Sequence, residues 1–89
     1  ITGGGITENL PRVLPEHLKA VVKRDSIKVL PIFEFMGQHV ELEEMYRTFN
    51  MGVGMVLVVN PANVDAVLAN TDGYVIGEIA KGEKGVEFI

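Results

Sequence analysis

Glycine and proline recur so often along this chain that none of its regular elements can be long. The 89 residues include 10 glycines and 4 prolines. Because glycine favours turns and proline interrupts helices and strands, most elements are limited to roughly ten residues. Hydrophobic residues make up 47% of the chain and charged residues 22%, a balance typical of folded domains and not of disordered chains. The sequence therefore predicts one small domain of short elements, or a piece of one.

Charge and composition exclude several classes of function. The net charge is −4 and the basic residues are scattered, whereas nucleic-acid binding needs a basic cluster. The absence of cysteine excludes disulfides, thiolate metal sites and cysteine nucleophiles, and fits a reducing compartment. The longest strictly apolar run, Met55–Val59, is far shorter than the ~20 residues that cross a bilayer. We expect a cytoplasmic protein that binds neither nucleic acid nor membranes.

The first half of the chain is predicted to hold three helices and one strand. Apolar residues at helical spacing predict a helix over 7–14, with Thr7 as its cap, and loose alternation predicts a strand over 18–23. Pro31 opens a second helix that ends at Gly37. A third helix follows with acidic residues near its start. Its buried side is expected to carry Leu42, Met45 and Phe49.

The second half is predicted to be a β-α-β unit followed by a last strand. An apolar, β-branched run predicts a strand over 53–59 that is covered on both faces. Asn60 and Pro61 then start a helix, and a strand over 74–80 completes a right-handed crossover. The last strand, 86–89, is expected to run antiparallel to its predecessor. The predicted fold class is α+β, a mixed β-sheet with helices packed on it.

Most polar residues have a structural explanation. His17 and His39 lack a partner at metal-binding spacing, and Ser26 lacks the glycines of a nucleophile elbow. Three glutamates, Glu41, Glu43 and Glu44, are explained by the acidic start of a helix. No phosphate-binding loop of the Walker or dinucleotide type is present.

The first segment whose residues suit ligand binding is Gly3–Gly5, directly before a helix. Consecutive glycines there can turn backbone N–H groups toward an anion, because no Cβ holds the anion away. Arg12, on the polar side of the helix, can pair with a phosphate, and Asn9 can hydrogen-bond a sugar or an amide. The alternative is that the three glycines form a mobile connection.

The second segment joins the third helix to the next strand through Gly52 and Gly54, with Thr48 and Asn50 at the junction. Such a junction lets backbone approach a ligand or a neighbouring element closely. The alternative is tight helix–sheet packing, with the nearby methionines Met51 and Met55 in the core. The spacing alone favours neither interpretation.

Three stretches carry a resemblance to a known family. The run ITGGGITENLPRVLP, residues 1–15, closely resembles a signature of the phosphoribosylformylglycinamidine cyclo-ligases, also called aminoimidazole ribonucleotide synthetases. PIF at 31–33 and EMYRTFNMGVGM at 44–55 are similar to two further signatures in the same order. The resemblance extends from Ile1 to about Ile79. Related ATP-using enzymes share glycine loops but not the TFNMG run.

The resemblance implies an enzyme of purine biosynthesis. The family uses ATP and Mg²⁺ to activate the formyl oxygen of formylglycinamidine ribonucleotide, and an amidine nitrogen then closes the imidazole ring. It implies a homodimer, and it implies that residues 1–89 are a partial C-terminal domain whose ATP-binding N-terminal domain is absent, so that the fragment alone is inactive. The expected substrate-binding residues are Gly3, Gly4, Gly5, Asn9, Arg12, Thr48 and Asn50.

Two alternatives to the cyclo-ligase remain at this stage. One is a small metabolite-binding or assembly domain without catalytic activity. The other is another member of the same ATP-using superfamily.

Overall fold

A computed structural model describes residues 1–89 and shows four short α-helices and three β-strands. The helices are α1 (Gly5–Asn9), α2 (Pro31–Met36), α3 (Leu42–Thr48) and α4 (Val64–Asn70). The strands are β1 (Leu18–Val22), β2 (Gly77–Lys81) and β3 (Gly85–Phe88). Single 3-10 turns cover Leu10–Val13, Arg24–Ser26 and Pro61–Asn63. The α+β class predicted from the sequence is confirmed.

The three strands form one mixed sheet in the order β2-β1-β3. β1 is antiparallel to β2, with Ala20 opposite Ile79, and parallel to β3, with Ala20 opposite Val86. β3 therefore runs opposite in direction to β2, as expected for the last strand, but β1 lies between them. The short turn between β2 and β3 passes the start of β1, where the Gly82 N–H donates to the His17 carbonyl at 3.0 Å.

The predicted β-α-β unit is wrong. Residues 53–59 form no strand, and the strand predicted over 74–80 is confined to Gly77–Lys81. The physical reason is that this run finds no partner in the sheet, because β1 is already paired on both sides by β2 and β3 and Met55–Val59 makes no backbone hydrogen bond to the outer edge of either strand. Helix α4 therefore does not connect parallel neighbours.

Local start and stop signals predicted the helices better than they predicted the pairing of strands. Pro31 is the first residue of α2 and Gly37 caps its end. Asn60 accepts a hydrogen bond from the Ala62 N–H at 2.9 Å, as a capping asparagine should. Thr7 is not the cap of α1, which begins at Gly5. The Thr7 hydroxyl instead donates to the Tyr46 carbonyl at 3.3 Å.

The core lies between the sheet and the helices α1 and α3, and it is small, since only 11 of 89 residues are buried. Met45 is buried as predicted, but Leu42 is 54% exposed and Tyr46 is buried in its place. The Tyr46 ring packs on Phe88, with 5.1 Å between the ring centroids, so α3 is held against β3. The buried core residues are Ile6, Leu10, Leu14, Ala20, Val22, Ile27, Met45, Tyr46, Met51 and Val53. None of the helices has the length and apolar character that a membrane-spanning helix requires.

Candidate functional site

The three glycines of the first segment lie in three different environments. Gly3 is exposed, and a Cβ added to it would contact nothing within 4 Å. Gly4 has a φ of 95° and stands at the start of α1. Gly5 is buried, and a Cβ there would lie 2.5 Å from the Phe49 carbonyl oxygen. The Gly5 N–H already donates to the Thr2 carbonyl at 3.1 Å. Of these three glycines, Gly3 and Gly4 have N–H groups that form no hydrogen bond within the chain.

The Asn9 side chain hydrogen-bonds to the backbone carbonyl groups of this glycine loop. Its Nδ2 group donates to the carbonyl oxygens of Thr2 at 3.3 Å, Gly3 at 3.2 Å and Gly5 at 2.9 Å. In a trans peptide the carbonyl and the following N–H point in opposite directions. Because the Thr2 and Gly3 carbonyls face Asn9, the N–H groups of Gly3 and Gly4 point away from it. The Asn9 side chain therefore orients the loop and has little donor capacity left for a ligand.

Glu8 is a residue of this site that the sequence analysis missed. A Cβ added to Gly4 would lie 2.1 Å from the Glu8 Oε2 atom, so the carboxylate rests against the face of this glycine. The glutamate lies inside the signature run of residues 1–15, and that position was the signal available in the sequence. The loop thus presents backbone donors and a carboxylate acceptor side by side.

Arg12 lies in the 3-10 turn that continues α1, and its side chain is exposed. The guanidinium takes part in none of the three salt bridges, which join Lys19 to Glu87, Arg47 to Glu44 and Lys84 to Glu16. Its charge is therefore available to an anion from outside the domain.

In the second segment, around Thr48 and Asn50, most polar side-chain groups hydrogen-bond within the domain. The Asn50 Oδ1 atom accepts from the Gly52 N–H at 2.8 Å, and Asn50 Nδ2 donates to the Ile1 carbonyl at 3.3 Å. The exposed Thr48 hydroxyl donates to Glu44 Oε1 at 3.0 Å. Of the two nearby methionines, Met51 is buried as the packing interpretation requires, whereas Met55 is 79% exposed.

The fold brings the two predicted segments together. The Ile1 nitrogen donates to the Gly54 carbonyl, and Gly5 packs against the carbonyl oxygens of Tyr46 and Phe49. Residues 1–5 therefore run alongside residues 54–46 in the opposite direction. The glycine loop and the TFNMG run form one continuous surface, although more than forty residues separate them in the chain.

This surface carries no metal centre, and two cavities lie elsewhere on the domain. No group of three or more histidine, aspartate or glutamate side chains is placed to hold a metal ion. A shallow cavity of about 400 Å³ lies at the far end of β1, where Lys23, Ser26 and Glu78 contribute to its lining. A second, of about 210 Å³, lies beside Lys19 and Glu87. None of the predicted site residues lines either cavity.

Burial in the core perturbs the pKa of Tyr46. Burial raises the pKa of its phenol above the usual 10.0, nearby Arg24 lowers it, and Asp25 raises it. The Arg24 guanidinium lies 5.8 Å from the Tyr46 ring centroid and 5.8 Å from that of Phe88. A phenol with a raised pKa stays neutral near pH 7, so Tyr46 acts there as a packing residue.

Comparison with known proteins identifies the family of this domain. All of residues 1–89 match the family model described as AIR synthase related protein, C-terminal domain. The chain is 54% identical over 93 aligned positions, covering 97% of its length, to the phosphoribosylformylglycinamidine cyclo-ligase of Lachnospira eligens. It is 49% identical to the enzyme of that name from Geobacter metallireducens and 46% identical to that of Brevibacillus brevis, over 100% and 99% of its length. It spans only 27% to 28% of the length of these relatives. The chain belongs to the AIR synthase related protein family and represents its C-terminal domain.

Proposed function

We propose that this chain is part of an ATP-dependent cyclo-ligase that converts formylglycinamidine ribonucleotide to aminoimidazole ribonucleotide in purine biosynthesis. The observation that carries the proposal is 54% identity along 97% of the chain to a phosphoribosylformylglycinamidine cyclo-ligase. The complete enzyme is a cytoplasmic homodimer, and residues 1–89 are a partial C-terminal domain that forms one wall of its active-site cleft. The isolated domain is inactive.

The residues present here do not fit Mg²⁺, because no cluster of metal-ligating side chains is formed. We therefore assign the contacts to Mg²⁺ and most of those to ATP to the N-terminal domain of the longer protein. The contribution of this chain is to bind and orient the ribonucleotide. Orientation matters for this reaction because ring closure is intramolecular, and holding the reacting atoms in place removes much of the entropic barrier.

The glycine loop suits the amide tail of the substrate better than its phosphate. The free N–H groups of Gly3 and Gly4 can donate to an amide oxygen, while the Glu8 carboxylate can accept from an N–H group. A phosphate oxygen about 4 Å from this carboxylate would be repelled by about 4 kcal/mol at an effective dielectric constant of ~20. An amide carries both a donor and an acceptor, so it matches the two groups at once.

Arg12 is then the residue of this domain that we assign to the phosphate. Its guanidinium is exposed and has no carboxylate partner in the domain, and guanidinium–phosphate pairs form strong, directional hydrogen bonds. Asn9 and Asn50 support the same surface through their backbone contacts. The Thr48 hydroxyl oxygen, which donates to Glu44, can still accept a hydrogen bond from the substrate.

The activity is tested by assaying the full-length protein with formylglycinamidine ribonucleotide, ATP and Mg²⁺, and by assaying residues 1–89 alone. We expect aminoimidazole ribonucleotide from the full-length protein and none from the domain. Failure of the full-length protein to form this product would refute the assignment of the reaction.

The site is tested separately with Arg12→Ala in the full-length protein. Losing a charged hydrogen bond worth about 1.5–3 kcal/mol should raise KM for the ribonucleotide by roughly 10- to 100-fold. Arg47→Ala is the matched control, because Arg47 already pairs with Glu44 and should leave KM unchanged. An unchanged KM and kcat in Arg12→Ala would remove Arg12 from the site without affecting the assignment of the reaction.

A further inference from the structure

Residues 55–59 form an apolar segment that lies outside every helix and strand and makes no backbone hydrogen bond. The five residues are Met55, Val56, Leu57, Val58 and Val59, and none of their N–H or carbonyl groups takes part in a hydrogen bond. Met55 is 79% exposed and Leu57 60% exposed. Unpaired backbone beside exposed apolar side chains is the typical surface to which another strand adds.

The contacts of residues 1–5 show the direction in which the preceding chain approaches this segment. The Ile1 nitrogen donates to the Gly54 carbonyl, and further along Gly5 packs against the Phe49 and Tyr46 carbonyls. Residues 1–5 therefore run antiparallel to residues 54–46. If the direction is continued backwards, the residues that precede Ile1 lie alongside Met55–Val59.

A preceding polypeptide exists in the relatives. This domain corresponds to the C-terminal part of the family, and it spans only 27% to 28% of the length of the cyclo-ligases that it matches. In a longer chain the Ile1 nitrogen is an ordinary peptide N–H, which can make the same hydrogen bond to Gly54.

We propose that the segment immediately preceding Ile1 in the longer protein is a β-strand that pairs antiparallel with Met55–Val59. The pair satisfies the free backbone groups on one side of this segment and covers part of its exposed apolar side chains. Both edges of β1 are already occupied, so the new strand pairs with Met55–Val59 and not with β1. The inference is independent of the proposed reaction.

The hydrogen bond from Ile1 to Gly54 also sets the register. With Ile1 opposite Gly54, the residue three positions before Ile1 lies opposite Leu57, in a non-hydrogen-bonded pair. Val56 and Val58 fall in hydrogen-bonded pairs, so their N–H groups point toward the new strand. Met55, Leu57 and Val59 direct their N–H groups to the opposite side.

The register can be tested by disulfide cross-linking in the full-length protein, with cysteines outside this domain replaced by serine. This domain has no cysteine of its own. Leu57→Cys is combined with a cysteine three positions before Ile1, because Cβ atoms in such a pair lie about 4.5–5.5 Å apart and a disulfide closes after a small adjustment. The control combines the same upstream cysteine with Leu68→Cys on α4, where Leu68 is 39% exposed.

We expect intramolecular cross-linking, measured as loss of free thiols and by peptide mapping, in the Leu57 pair and not in the Leu68 pair. Free thiols in both pairs, or equal cross-linking in both, would overturn the proposal. A disulfide between two chains would also overturn it, because a second copy would then cover the segment.

Hydrogen exchange in the unsubstituted full-length protein gives an independent test if the cysteine variants do not fold. The amides of Val56 and Val58 should exchange at least about 100-fold more slowly than in an unstructured chain, as expected for paired strand amides. Exchange of these two amides at the unstructured rate would refute the proposed strand pair.

Discussion

Gly5→Ala tests whether packing at Gly5 stabilises the domain. The residue has a φ of 61°, and an alanine Cβ would lie 2.5 Å from the Phe49 carbonyl oxygen and 2.7 Å from that of Tyr46. The left-handed backbone conformation costs a residue with a Cβ about 1–2 kcal/mol, and overpacking adds about 1–3 kcal/mol. We expect the free energy of unfolding to fall by about 2–5 kcal/mol, a large share of the roughly 4–13 kcal/mol typical of a domain this size.

The assay is urea unfolding, with Gly3→Ala as the matched control in the same loop. A Cβ on Gly3 meets nothing within 4 Å, so its midpoint should stay unchanged or rise slightly, because alanine restricts the unfolded chain more than glycine does. The Gly5→Ala midpoint should fall by about 1 M or more at the slopes usual for small domains. Equal midpoints for the two variants would refute the conclusion that Gly5 is required by its contact with the end of α3.

Two further predictions concern Asn9 and Tyr46. Asn9→Asp replaces the donor to the Thr2, Gly3 and Gly5 carbonyls with an acceptor, and should lower the free energy of unfolding by about 1–3 kcal/mol at pH 7. Part of this loss should be recovered below about pH 4, where the carboxyl is protonated and can donate again. A loss that is independent of pH would contradict the hydrogen-bond explanation. Burial raises the pKa of Tyr46, so the phenol ionises more readily in the unfolded chain, and the free energy of unfolding should fall as pH rises above 10. Tyr46→Phe should remove this dependence, measured by urea unfolding across pH, and a dependence that persists in the variant would assign it to another group.

The candidate site was predicted from the sequence in part only. The glycines and Arg12 were predicted because a glycine run before a helix and a nearby arginine have recognisable anion-binding chemistry, and their role in binding stays a prediction. The direction of the Asn9 side chain was not predictable, since its contacts with carbonyls of residues 2–5 depend on how the loop folds back over α1. Glu8 was missed for the same reason, because only the folded loop brings its carboxylate against Gly4.

The sequence by itself determined some of the helix boundaries of this protein. Pro31, Gly37 and Asn60 start or end helices because their effect acts through the backbone of their own turn. The signature runs were enough to indicate the family. Tertiary structure decided which strands pair, because pairing depends on contacts between residues far apart in the chain. Met55–Val59 has the composition of a buried strand, yet within residues 1–89 its backbone hydrogen-bonds to no strand of the sheet.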